Sequence, residues 1–182
     1  MPFKDSKSSY GAISKAFHWT LALLILGMIG VGWYMVDVPP PDKFFYYKIH
    51  KSTGICIVFL GILRLGWRFF VKKPDLPKEQ FPLEHFLANS VQYLLYAFVI
   101  LTPLEGWLMS SSGGHPVTFF GLFTVPAISP KIPELAKITH ELHAIIAYTL
   151  LGIIALHVLG ALRHHFVLKN TVLKRMLPGK TV

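Results

Sequence analysis

Four histidines, His18, His50, His143 and His157, sit where imidazole nitrogens could hold metal centres. Two of them share the apolar stretch at residues 139–166, THELHAIIAYTLLGIIALHVLGALRHHF. On a helix their fourteen-residue spacing gives about 21 Å of rise and only about 40° of rotation. Both rings therefore leave one face, near opposite ends. A single small ion cannot bridge that distance, so each ring is available to a separate centre.

The elements that carry these residues are apolar and long. Of 182 residues, 53% are hydrophobic and only 15% charged, where a soluble domain of this size carries about 25% charge. Mean hydropathy is +0.50. Four apolar runs account for the excess, at about 16–36, 49–70, 86–109 and 140–166, each long enough to cross a bilayer. The expected fold is an all-α membrane protein, a single domain over residues 1–182 forming a bundle of four transmembrane helices. The first run continues well past the length of a signal-peptide core and shows no small-residue cleavage pattern. The connection at 110–137, rich in serine, glycine, proline and aromatics, is expected to cap one end of the bundle.

Charge sets the orientation. An even number of spans puts both termini on one side. That side collects Lys4, Lys7, Lys15, Arg64, Arg68, Lys72, Lys73, Lys78, Arg163, Lys169, Lys174, Arg175 and Lys180 out of the chain's 18 basic residues. The positive-inside rule then makes both termini cytoplasmic. The net charge of +9 reads as this topology signal rather than as a nucleic-acid surface.

Depth in the membrane pairs the histidines. His18 opens span one and His157 lies in the same, cytoplasmic half of span four; His50 opens span two and His143 opens span four at the outer side. Each pair offers two nitrogens and no thiolate or carboxylate at matching depth. Cys56 is the only cysteine, so thiolate clusters and Cys-x-x-Cys-His attachment are excluded. Zinc prefers four ligands, or three and a water. Two imidazoles from facing helices instead suit trans ligation of a haem iron, and an apolar bundle suits the porphyrin body. The expectation is two b-type haems stacked across the membrane.

Neighbouring residues fit this reading, each with a plainer alternative. Gly54, Gly61 and Arg68 lie at +4, +11 and +18 from His50, within about 40° of one stripe. The glycines would leave room for a planar ligand or simply allow close helix packing. Arg64, Arg68 and Arg163 stand where inner propionates would emerge, and Lys51 stands beside the outer pair; arginine holds carboxylates bidentately, though the same residues serve as membrane anchors. Lys48, Lys51, Lys131 and Lys137 with His115 would give the outer side a positive potential. Glu105 and Glu141 are either proton relays or helix-end caps. His140, one turn from His143, is an alternative outer ligand; His164 reads as a group near propionates or a quinone. His85 and His115 read as interfacial or loop residues.

The stretches Phe17-His18-Trp19, Ile49-His50-Lys51-Ser52-Thr53-Gly54, Arg64-Leu65-Gly66-Trp67-Arg68, Pro103-Leu104-Glu105-Gly106-Trp107-Leu108-Met109-Ser110 and the segment from His157 to Phe166 resemble the bacterial cytochrome b561 family of four-helix dihaem membrane proteins. The ending Leu173-Lys174-Arg175-Met176-Leu177-Pro178 resembles it too. The resemblance implies His18, His50, His143 and His157 as axial ligands. It departs after the outer ligand of span four, where the family has His-Glu: here Ala144 follows His143, and His140-Glu141 lies one turn earlier. The resemblance further implies an inner-membrane location and electron exchange between a periplasmic donor, superoxide for some members, and membrane ubiquinone. Trp19, Arg163 and His164 are the quinone candidates. No residue is assigned a catalytic role, because outer-sphere electron transfer needs no open iron position. Two other classes remain: a cytochrome b anchor subunit of a hydrogenase or dehydrogenase with a redox partner, and a non-redox transporter or structural membrane protein with metal-binding histidines.

Overall fold

The computed structural model describes residues 3–72, 74–75 and 82–179. Four long helices dominate it: α1 (Ala12–Asp37), α2 (Asp42–Phe70), α3 (Pro82–Ser112) and α4 (Pro133–Phe166). A hairpin of β1 (Val117–Phe119) and β2 (Phe123–Val125) joins α3 to α4, and a short helix α5 (Val172–Met176) follows. All four long helices carry apolar windows long enough to cross a membrane. Large side chains such as Leu23, Phe59, Leu101 and Leu159 are exposed on their outer faces, as lipid-facing residues must be.

Every span is longer than its apolar run, and local chemistry explains why. At the start of α1, Lys15 is buried at 4% exposure because its ammonium donates to the Leu177 carbonyl at 2.8 Å. Helix α2 starts seven residues before its apolar run. Pro39–Pro41 closes the preceding turn, Asp42 in the first turn complements the helix dipole, and Lys43 Nζ donates to the Val36 carbonyl at 2.9 Å. In α4, Pro133 occupies the first turn, where its missing N–H is harmless, and Glu134 follows it. Pro103 lies inside α3 and removes the N–H that would reach the carbonyl four residues back.

The core is a layer at mid-height. Leu21 and Ile25 of α1, Ile57 of α2 and Leu150 of α4 form it, with Phe98 and Val99 of α3 packed against it. Leu150 is seven residues from both His143 and His157, so this layer separates the two ends of the bundle. At the end holding both termini, α5 is strapped to α1: besides the Lys15 bond, Trp19 Nε1 donates to the Met176 carbonyl at 2.9 Å. At the far end the hairpin pairs Val117 with Val125 and Phe119 with Phe123. It is pinned to α2 through the fully buried Ser52, whose hydroxyl accepts from Phe120 N at 3.0 Å. The same hydroxyl lies 2.7 Å from the Thr118 carbonyl and 2.8 Å from that of Lys48. The connection at 110–137 thus contributes the last residues of α3, a hairpin and the first turn of α4. Lys73, Lys78 and Lys180, which entered the orientation count, lie outside the described residues, as do residues 76–81 of the loop between α2 and α3.

Candidate functional site

Because α4 runs the full height of the bundle, it offers a histidine to each end. At the terminal end His157 faces His18 of α1, ring centroids 6.1 Å apart and planes 57° apart. At the far end His143 faces His50 of α2 at 6.3 Å and 78°. Metal–imidazole bonds are about 2.0 Å long and the bonding nitrogen lies roughly 1.1 Å from its ring centre, so two rings on opposite sides of one metal stand about 6 Å apart. Both separations fit that arrangement. Among the described residues no three His, Cys, Asp or Glu side chains converge to hold a metal ion. Two facing nitrogens from each pair would suit an iron whose other four ligands come from a macrocycle. His50 Nδ1 is buried with no hydrogen-bond partner, a polar atom that calls for an explanation.

The two pairs differ in what holds them. His143 Nδ1 donates to Glu105 Oε2 at 2.7 Å. An ionised carboxylate only accepts, so a neutral ring in this contact carries its proton on Nδ1 and leaves Nε2 as the acceptor nitrogen. Glu105 Oε1 is buried and unpartnered. Gly106, next along α3, lies close against the same ring: a Cβ there would meet His143 Cε1 at 2.9 Å. His18 has a cationic neighbour instead, Arg64 Nη2 donating to its Nδ1 at 3.2 Å. The Arg64 guanidinium also stacks over Tyr96, 5.5 Å from the ring centre. The Trp19 ring meets His18 edge-on at 5.2 Å.

The remaining sequence candidates occupy definite places. His140 is exposed on α4 and it is His143 that faces His50. Gly54 and Gly61 face α3: a Cβ would lie 3.6 Å from Pro103 Cβ at the first and 3.2 Å from Ile100 Cγ1 at the second. Arg68 Nη1 donates to the Val71 carbonyl at 3.0 Å, and with Arg64 and Tyr10 it lines a small pocket of about 30 Å³ at the terminal end. Burial there pushes the Tyr10 phenol above its ordinary pKa. Of the quinone candidates, Trp19 is tied to Met176 and Arg163 pairs with Glu84 at 2.7 Å. His164 Nδ1 meets the Asn170 amide at 2.8 Å. At the far end His115 and Lys131 line a cavity of about 340 Å³ beneath the hairpin. Sequence reasoning did not assign Gly106 to the site or Glu105 to His143. Their place in the Pro103–Ser110 stretch was the one available signal.

Comparison with known proteins agrees with this architecture. The family model described as prokaryotic cytochrome b561 matches residues 9–179. Cytochrome b561 homolog 2 of Escherichia coli (strain K12) is 32% identical over all of this chain and 97% of its own. A protein named probable superoxide oxidase CybB, from Yersinia pestis, is 27% identical over 94% of this chain and 97% of its own. Cytochrome b562 of Cereibacter sphaeroides is 26% identical over 92% of this chain and 94% of its own. Helical multi-pass bundles with such bacterial relatives reside in the inner membrane, since the outer membrane holds closed barrels. The chain is a multi-pass inner-membrane protein and belongs to the prokaryotic cytochrome b561 family.

Proposed function

We propose that this protein is a dihaem b-type cytochrome that carries electrons one at a time across the inner membrane, from a periplasmic donor to ubiquinone. The observation that carries the reading is the pair of facing imidazoles at each end, joined by one helix. His18 and His157 would hold one haem, His50 and His143 the other, and Arg68 would hold a carboxylate at the inner ring's edge, Arg64 being engaged by His18 and Tyr96. When bound, the haems supply one-electron chemistry that no side chain here provides. The chain's own contribution is placement and insulation. The Leu21, Ile25, Ile57 and Leu150 layer keeps water out between the two centres.

The distribution of basic residues favours cytoplasmic termini, which puts the His50–His143 pair on the periplasmic side. The relative named for superoxide oxidation makes superoxide the favoured donor. Two superoxide anions each lose one electron and leave as dioxygen; the two electrons and two protons convert one quinone to its quinol. Lys131 and His115 beside the far-end cavity would favour approach of a small anion. Trp19, Arg163 and His164 are the candidates for meeting a quinone headgroup at the terminal end. The test is to add ubiquinone anaerobically to the purified, reduced protein and follow its spectrum. Rapid reoxidation is expected; no reoxidation would remove the quinone from the reading. A second reading, an anchor subunit docked to a redox partner, draws on the exposed hairpin tip, where Leu122 is 78% exposed. Co-purification of a soluble iron–sulfur subunit would favour it.

A further inference from the structure

We infer that Glu105 and Arg64 set the two iron centres at different potentials, lower at the His50–His143 pair and higher at the His18–His157 pair. The inference rests on the dihaem reading above and adds a direction to it. The observation is an asymmetry between the two ends. One histidine of the far-end pair donates its Nδ1 proton to a carboxylate at 2.7 Å, while one histidine of the terminal-end pair lies 3.2 Å from a guanidinium. Glu105 is 10% exposed on its side chain, and its second oxygen has no partner. A half-satisfied carboxylate in an apolar bundle is expensive to hold, and neither helix capping nor packing explains it at mid-helix.

Its effect on a ligated imidazole is definite. Drawing the Nδ1 proton toward the carboxylate makes Nε2 more basic. A more basic ligand, with a negative charge behind it, favours ferric over ferrous iron and lowers the potential. Arg64 acts oppositely at the other pair. A positive charge held at this depth, where screening is weak, favours the reduced centre, which carries one positive charge fewer. An electron received at the far end from a one-electron donor such as superoxide therefore settles at the terminal end, oxidising the first centre by one electron and reducing the second by one. Glu105 and Arg64 touch neither donor nor quinone. Glu105 is a positioning residue that acts through His143, and Arg64 acts by its charge beside His18, whose Nδ1 would carry the proton once Nε2 ligates and would no longer accept from the guanidinium.

Optical potentiometric titration of the purified holoprotein and of Glu105→Gln and Glu105→Asp tests this. Gln keeps the shape and an acceptor oxygen but removes the charge. The lower of the two native midpoints should rise in E105Q by at least the equivalent of a tenfold change in electron occupancy, about 59 mV for a one-electron couple, while the upper midpoint stays fixed. Asp should move it less. Two haems with both midpoints unchanged, or a shift of the upper midpoint instead, overturns the inference. If E105Q binds one haem, that haem should titrate at the upper native midpoint; titration at the lower one overturns the inference. If it binds none, Arg64→Gln decides: a fall of the upper midpoint supports the inference and no change overturns it. A wild-type protein without two haems would instead refute the dihaem reading, so the two failures are distinguishable.

Discussion

Replacing Gly106 by alanine is the sharpest structural perturbation of the far-end pair. The added Cβ would sit 2.9 Å from His143 Cε1 and 3.3 Å from its Nδ1, where ordinary carbon contacts start near 3.5 Å. The ring must therefore retreat by roughly half an ångström, beyond the tolerance of about 0.2 Å typical of a metal–ligand distance. It cannot retreat freely, because its Nδ1 is tethered to Glu105 at 2.7 Å. Breaking that charge-assisted bond costs about 1.5–3 kcal/mol, which corresponds to a roughly ten- to hundredfold loss of affinity for the metal group, the range found when ligand-supporting contacts are removed. The assay is haem per chain in purified protein, by pyridine haemochrome, with Gly152→Ala as control because a Cβ there has nothing within 4 Å. G106A is predicted to hold one haem and G152A two. Two haems with an unaltered spectrum in G106A would refute the steric argument.

Other substitutions separate the roles of neighbouring groups. His50→Ala or His143→Ala should each remove one haem while His140→Ala, at an exposed position, keeps both; loss of a haem in H140A alone would reassign the ligand. Ser52→Ala deletes the hydroxyl that pins the hairpin to α2, a loss of about 1–3 kcal/mol. Backbone hydrogen exchange in the hairpin should accelerate, and unchanged exchange would show that the strand pairing is self-sufficient. Arg163→Ala breaks a half-exposed ion pair with Glu84 worth at most about 1 kcal/mol, so haem content and stability should hold while quinone reoxidation slows; unchanged kinetics would remove Arg163 from the quinone site.

What the sequence made legible follows from what its signals measure. Apolar runs measure membrane crossing, so the four helices could be read directly. Their ends could not, because the first turns at Asp42–Lys48 and Pro133–Thr139 carry acidic residues that complement the dipole, and α4 a first-turn proline, rather than apolar runs. The hairpin is not legible, since strands of three residues carry too little alternation to detect. Residue depth along a helix could be counted, which set His18 opposite His157 and His50 opposite His143. Azimuth is harder: periodicity placed Gly54 and Gly61 on one stripe with His50 but could not say that this stripe also meets α3. The Glu105–His143 contact joins residues 38 positions apart. Only the packing of α3 on α4 reveals it.

The central claim is two haems on four histidines, and a reduced-minus-oxidised absorption spectrum with haem counted per chain tests it most directly. Two b-type haems per chain in wild-type protein, falling to one when either member of a pair is replaced by alanine, is the predicted result. Fewer than two in protein from haem-replete cells, or two that survive His157→Ala, would contradict it.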